Sequence, residues 1–221
     1  MIVAIDGPAG AGKSTVSRAL ATRLAFGYLD TGAMYRAVAL AALRAGVDPG
    51  DEAGVERVLK GVRVGLTPSP DGLRVSIGAD DVSDAIRAPE VSSAASVVAR
   101  HPAVRSALVA HQQSILSSGD WVADGRDIGS VVCPSAEVKI YLTADADVRA
   151  RRRFEELAEN APSPPSFESV RADIERRDRQ DATRSDSPLV VADGAVVVDS
   201  SGRSAPDVIR EIANMVEERQ R

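Results

Sequence analysis

Residues 7–15 read GPAGAGKST, directly behind the apolar run at residues 2–5 and directly ahead of a stretch with helical spacing. The pattern of a glycine, four residues, a second glycine, a lysine and a hydroxyl residue is met by Gly7, Gly12, Lys13 and Ser14, with Thr15 following. Glycines let the backbone curl so that several N–H groups point inward, and the positive end of a helix opening near Lys13 adds to the same field. Lys13 can then reach the β- and γ-phosphates of a nucleoside triphosphate, and the Ser14 hydroxyl can ligate Mg²⁺. Strand, loop and helix in that order make Gly7, Pro8, Ala9, Gly10, Ala11, Gly12, Lys13, Ser14 and Thr15 the expected triphosphate cradle.

Working outward, apolar runs that suit buried strands recur at residues 121–123, 138–142 and 195–198, separated by long segments of helical spacing. That alternation predicts an α/β fold, a three-layer sandwich with a central parallel sheet between helices. Val208, Ile209, Ile212, Met215 and Val216 share one helical face and predict a packing helix near the end of the chain. Two stretches break the pattern. From residue 62 to 82 the period changes to two around the turn PSPDG, which predicts a small antiparallel insert, bounded at 62–90. At residues 159–167, ENAPSPPSF interrupts two charged helices with three prolines, which predicts an exposed lid loop over 156–168. At 221 residues, a single domain carrying both excursions is expected.

Composition narrows the function. A formal charge of −5 gives no electrostatic reason to expect nucleic acid or a membrane surface as partner. One cysteine, Cys133, rules out an internal disulfide and suits a reducing compartment. No basic leader or apolar segment of membrane-spanning length stands out, so a cytoplasmic monomer with small-molecule partners is expected. Lysines stand only at positions 13, 60 and 139, so the Asn-Lys-x-Asp stretch with which signalling GTPases read guanine is missing. Small-molecule kinases become the leading class, with a slowly hydrolysing regulatory ATPase as the reading from another class.

A kinase whose acceptor is itself a phosphate must gather arginines, because several negative charges are brought together. Three stretches offer them: YLDTGAMYR at 28–36, VADGRDIG at 122–129 and RRDRQDATR at 176–184. Together with GPAGAGKST, the β-rich insert and AASVVARHPAVR at 94–105, they resemble the bacterial cytidylate kinases, a branch of the nucleoside monophosphate kinases. The resemblance covers nearly the whole chain in the same order. It implies transfer from ATP with Mg²⁺ to CMP and dCMP, giving CDP and dCDP. UMP or AMP as acceptor is the same-class alternative.

The resemblance also implies roles by residue. Thr31 and Arg36 would help hold the acceptor nucleotide, and Ser96 and Arg105 would read the cytosine. Arg126 would meet the acceptor phosphate and Asp127 the base amino group. Arg177, Asp181 and Arg184 would contact ribose and phosphates. On a helix running from about residue 168 to 184 these last three also share a face by spacing, which on helical grounds alone equally suits a solvated ion-pair face. Thr31 taken alone would suit a helix N-cap. Lys13, Arg126, Arg184, Arg149, Arg152 and Arg153 are the candidates for neutralising charge on the moving phosphoryl group. Asp124, at a strand end, suits either a Mg²⁺-bound water or a structural role. His101 and His111 are expected to be packing or surface groups, since an ionised acceptor phosphate needs no general base.

Overall fold

The structure is a computed structural model, and it describes residues 1–69, 72–160, 165–184 and 186–220. The tip of the turn expected at 68–72, and Pro162 and Pro164 of the expected lid loop, lie outside the described residues. The strands fall into two sheets, one in the order β2-β6-β1-β7-β8 and one in the order β3-β4-β5. Their bounds are β1 Ile2–Asp6, β2 Gly27–Asp30, β3 Val64–Ser69, β4 Gly72–Ile77, β5 Asp80–Asp81, β6 Trp121–Gly125, β7 Val138–Thr143 and β8 Val196–Asp199. The described residues gather into two compact units, residues 1–26 with 122–221 and residues 27–121.

In the first unit every residue of β1 is buried, as an unbroken apolar run in the middle of a parallel sheet should be. β7 runs parallel to it with Val3 opposite Val138 and Asp6 opposite Tyr141, and β8 runs parallel to β7. The helices are α1 (Lys13–Leu24), α6 (Ala146–Asn160), α7 (Phe167–Ala182) and α8 (Ala205–Gln220). The stripe expected near the C-terminus is present: Val208, Ile212 and Val216 of α8 are buried, and α8 packs against α1. α6 and α7 close on their own small core of Ala150, Val170 and Ile174, with the Phe154 and Phe167 rings edge to face at 6.0 Å.

The helix expected to run to residue 184 stops at Ala182, with Thr183 as its cap. Arg184 therefore lies past the helix end, and the shared-face spacing covers only Arg177 and Asp181.

In the second unit, α2 (Thr31–Arg44), α3 (Glu52–Gly61), α4 (Pro89–Val98) and α5 (Pro102–Leu116) accompany the three-stranded sheet. The period of two between residues 62 and 82 does form antiparallel strands, with Val64 opposite Ile77 and Leu66 opposite Val75. Val64, Val75 and Val82 are buried, and β4 packs on α2. β2 escaped the sequence reading because GYLD buries only Leu29, too little to register as an apolar run.

Candidate active site

The phosphate loop follows β1 directly. Gly7 has φ +152°, and a Cβ there would sit 1.9 Å from the Leu142 carbonyl oxygen, so only glycine lets the loop turn this close to β7. Gly12 caps α1 in the left-handed region at φ +91°. The Lys13 ammonium, 7% exposed, donates to the Gly7 and Pro8 carbonyls at 2.8 Å each. Burial, and then the charge of Arg126, push it down from its ordinary value to about 7, while Asp124, Asp181 and Asp6 oppose that shift.

Around this lysine the unit assembles the residues expected at 122–129 and 176–184. The Ser14 hydroxyl donates to Asp124 Oδ2 at 2.9 Å. Arg126 Nε donates to Asp181 Oδ2 at 2.7 Å, and Arg184 Nη2 lies 3.7 Å from Asp181 Oδ1. Burial works against ionisation of Asp181, but the two arginines outweigh it and hold its carboxyl below the usual range. Asp127 is buried and immediately precedes a short π-helical turn at Ile128–Val132. Arg177 ion-pairs with Asp173 on its own helix at 2.9 Å.

The arginines expected to serve the moving phosphoryl group divide. Arg149 donates from Nε to the Ala144 carbonyl at 2.9 Å, and from Nη1 to the Ala9 carbonyl at 3.1 Å and Asp178 Oδ2 at 2.6 Å. It thereby ties α7 to the phosphate loop. Arg152 donates to the Ser200 hydroxyl at 3.0 Å and the Ser200 carbonyl at 2.8 Å, and the Ser200 hydroxyl lies 3.1 Å from the Ala11 carbonyl. Arg153 touches none of this and pairs with Glu156 at 2.8 Å.

Thr31, Arg36, Ser96 and Arg105 all lie in the second unit. Asp30, not Thr31, caps α2, accepting from Ala33 N at 2.9 Å, so the buried Thr31 is the first helical residue. Arg36 Nη2 donates to Asp30 Oδ2 at 2.9 Å. Ser96 is half-buried, with its hydroxyl on the Ser92 carbonyl at 3.3 Å. Arg105 is 4% exposed, with its guanidinium 5.8 Å from the Tyr35 ring centroid. His101 donates from Nε2 to the Pro49 carbonyl, 2.7 Å away, and His111 is exposed.

Sequence reasoning missed Asp6, Asp178 and Ser200. Each acts through a contact with a residue far away in the chain, and no periodicity or motif spacing signals such a partner. Asp6 alone carried a hint, as an acidic residue closing an otherwise apolar strand. For Mg²⁺, no group of three or more His, Cys, Asp or Glu placed to hold a metal ion exists among the described residues. The available oxygens are Ser14 and Asp124, which suits a cation that keeps several waters and takes its remaining ligands from phosphates.

A family model described as "Cytidylate kinase" matches residues 3–218. A cytidylate kinase of Geobacillus kaustophilus is 48% identical over 218 residues, covering 98% of this chain and 96% of the relative. One of Pelotomaculum thermopropionicum is 50% identical over 215 residues, covering 97% and 95%. Among solved structures, an uncharacterized protein of Eubacterium ventriosum shares the fold at TM-score 0.55 with 8% identity, covering 98% of each chain.

Proposed function

The chain belongs to the cytidylate kinase family, and from that premise we propose that it transfers the γ-phosphoryl group of ATP to CMP and dCMP, yielding CDP and dCDP. The observation that carries this reading is the glycine-built phosphate loop with its buried Lys13, joined by the bonds of Ser14 to Asp124 and of Arg126 to Asp181. A phosphate oxygen of the acceptor monophosphate is the nucleophile. Its second pKa of ~6 leaves it ionised at neutral pH, so no base has to remove a proton. The protein's work is alignment and charge neutralisation. The amides of residues 7–15 and the Lys13 ammonium hold the donor phosphates. Arg126 and Arg184, poised on Asp181, turn to the acceptor phosphate. Ser14, and Asp124 through water, would hold Mg²⁺, which would supply positive charge to the donor phosphates.

Within residues 27–121, Thr31 and Arg36 are assigned to the acceptor nucleotide, and Ser96 and Arg105 to the cytosine. In the other unit, Asp127 is assigned to the base amino group, and Arg177 and Asp181 to the ribose and phosphates. Arg149 acts by holding the Ala9 carbonyl of the loop and Arg152 by holding Ser200, whose hydroxyl bonds the Ala11 carbonyl, and Arg153, paired with Glu156, is assigned to the donor from α6. No helix among the described residues is long and apolar enough to cross a membrane. Together with the lone cysteine this supports a cytoplasmic site of action.

The test is ADP release from Mg-ATP with CMP, dCMP, UMP, AMP and GMP in turn, beside a control without acceptor. CMP and dCMP should drive release far above the control. Equal release with every acceptor and with none would make the protein an ATPase and overturn the assignments.

A further inference from the structure

Asp6 is the last residue of β1 and is 3% exposed. Its two carboxylate oxygens accept separately, Oδ1 from Ile128 N and Oδ2 from Gly129 N, both at 2.8 Å. Those amides open the turn that follows Asp127, where helical geometry leaves N–H groups without partners and the local dipole favours an anion. A buried carboxylate is costly, and burial pushes Asp6 up to about 6, against the two amide bonds that pull it down. Asn in its place would present one acceptor and an NH₂ to two donors, leaving one amide facing another donor. The fold thus holds a charge where a neutral amide could not complete the contact.

What the carboxylate joins gives the contact its meaning. On one side of Asp6 comes Gly7, whose carbonyl receives the Lys13 ammonium. On the other, two residues before Ile128, stands Arg126 with its bond to Asp181. Asp127 and Lys13 are the charged groups that act on Asp6. We propose that Asp6 is a positioning residue that pins the loop carrying Arg126 and Asp127 to the strand carrying the phosphate loop, so that donor and acceptor charges are held in one frame. Transfer between two bound phosphates is sensitive to displacements of about 1 Å, so this tie acts on turnover more than on ATP binding.

This rests on the kinase reading above and is tested in the full chain with Asp6→Asn and Asp6→Glu. The readouts are thermal unfolding, ATP affinity without acceptor, and kcat and acceptor KM. Whichever monophosphate drives ADP release from the wild type serves as acceptor, so failure of the cytidylate reading shows in the wild type and leaves the comparison standing. Asp6→Asn should bind ATP within about 3-fold of wild type and lose at least ~30-fold in kcat, with a raised acceptor KM. Asp6→Glu, which keeps both acceptors on a longer stem, should recover part of that loss. A kcat near wild type in folded Asp6→Asn, or ATP affinity falling in step with kcat, would overturn the proposal. If Asp6→Asn does not fold, Asp6→Glu decides alone: at least ~5-fold lower kcat with unchanged ATP affinity supports the tie, and wild-type kcat refutes it.

Discussion

Lys13 is a cation kept in a place that disfavours cations. Its burial follows from the motif, because a loop that wraps a triphosphate must wrap the lysine too, and the ammonium donates to the Gly7 and Pro8 carbonyls. Its folded value of about 7 lies below the 10.5 of an ordinary lysine, so between those limits the unfolded chain binds a proton that the folded chain does not. Stability from this residue therefore rises with pH across that window and is lost as pH falls through it. Lys13→Met should be more stable than wild type at pH 6.5 in urea unfolding, with an advantage that shrinks by pH 9.5. It should also lose at least ~10²-fold in kcat, as removal of a charge-stabilising donor does. A stability difference that ignores pH would contradict the burial argument. The lysine itself was legible from GPAGAGKST. The carbonyls it rests on were not, because the curl of the loop that turns them toward the ammonium is set by backbone geometry that no spacing encodes.

At the scale of elements, apolar runs revealed β1, β6 and β7, and periods in the chain revealed the α8 stripe and the antiparallel insert, whereas β8, expected as a buried strand, buries only Val198 and leaves Val196 and Val197 exposed. It misjudged the end of α7, because residues 176–184 are polar all round and offer no apolar stripe to terminate. The ties between elements also stayed hidden: Arg149 from α6 to Ala9 and Asp178, and Arg152 to Ser200 after β8. Arg126 and Asp181 join the loop after β6 to α7 in the same manner, 55 residues apart. Each holds the other in a charged, oriented state, so the two are expected to act as a unit. Arg126→Ala and Asp181→Ala should each leave the fold intact and cut kcat/KM at least ~10²-fold, with the double variant falling well short of the product of the two losses. Full additivity in a double-mutant cycle would mean that they work independently, and near-normal turnover in either folded variant would remove it from the site.

Over the whole molecule, the proposed roles divide along the two units. All of the phosphate loop, with Arg126, Asp127, Arg177, Asp181 and Arg184, belongs to residues 1–26 and 122–221, whereas Thr31, Arg36, Ser96 and Arg105 belong to residues 27–121, which also contain the antiparallel sheet of β3, β4 and β5. The sequence made these acceptor candidates legible only through a resemblance of motifs, because a serine on a helix and a buried arginine beside Tyr35 carry no chemical signature of their own. Arg36 gives the sharper test. It is held by Asp30, the residue that also caps α2, so the guanidinium is oriented by the helix start and needs little ordering to meet an anion. A charge-assisted hydrogen bond to a phosphate is worth about 1.5–3 kcal/mol, roughly 10- to 10²-fold in binding. Arg36→Ala should raise the KM for CMP by that factor and leave the KM for ATP within about 2-fold, since every residue of the phosphate loop lies in the other unit. Steady-state kinetics with each substrate varied in turn separates the two constants. An unchanged CMP constant would take Arg36 out of the acceptor set, and a matching rise in the ATP constant would mean that the arginine supports the fold of both units instead of one ligand.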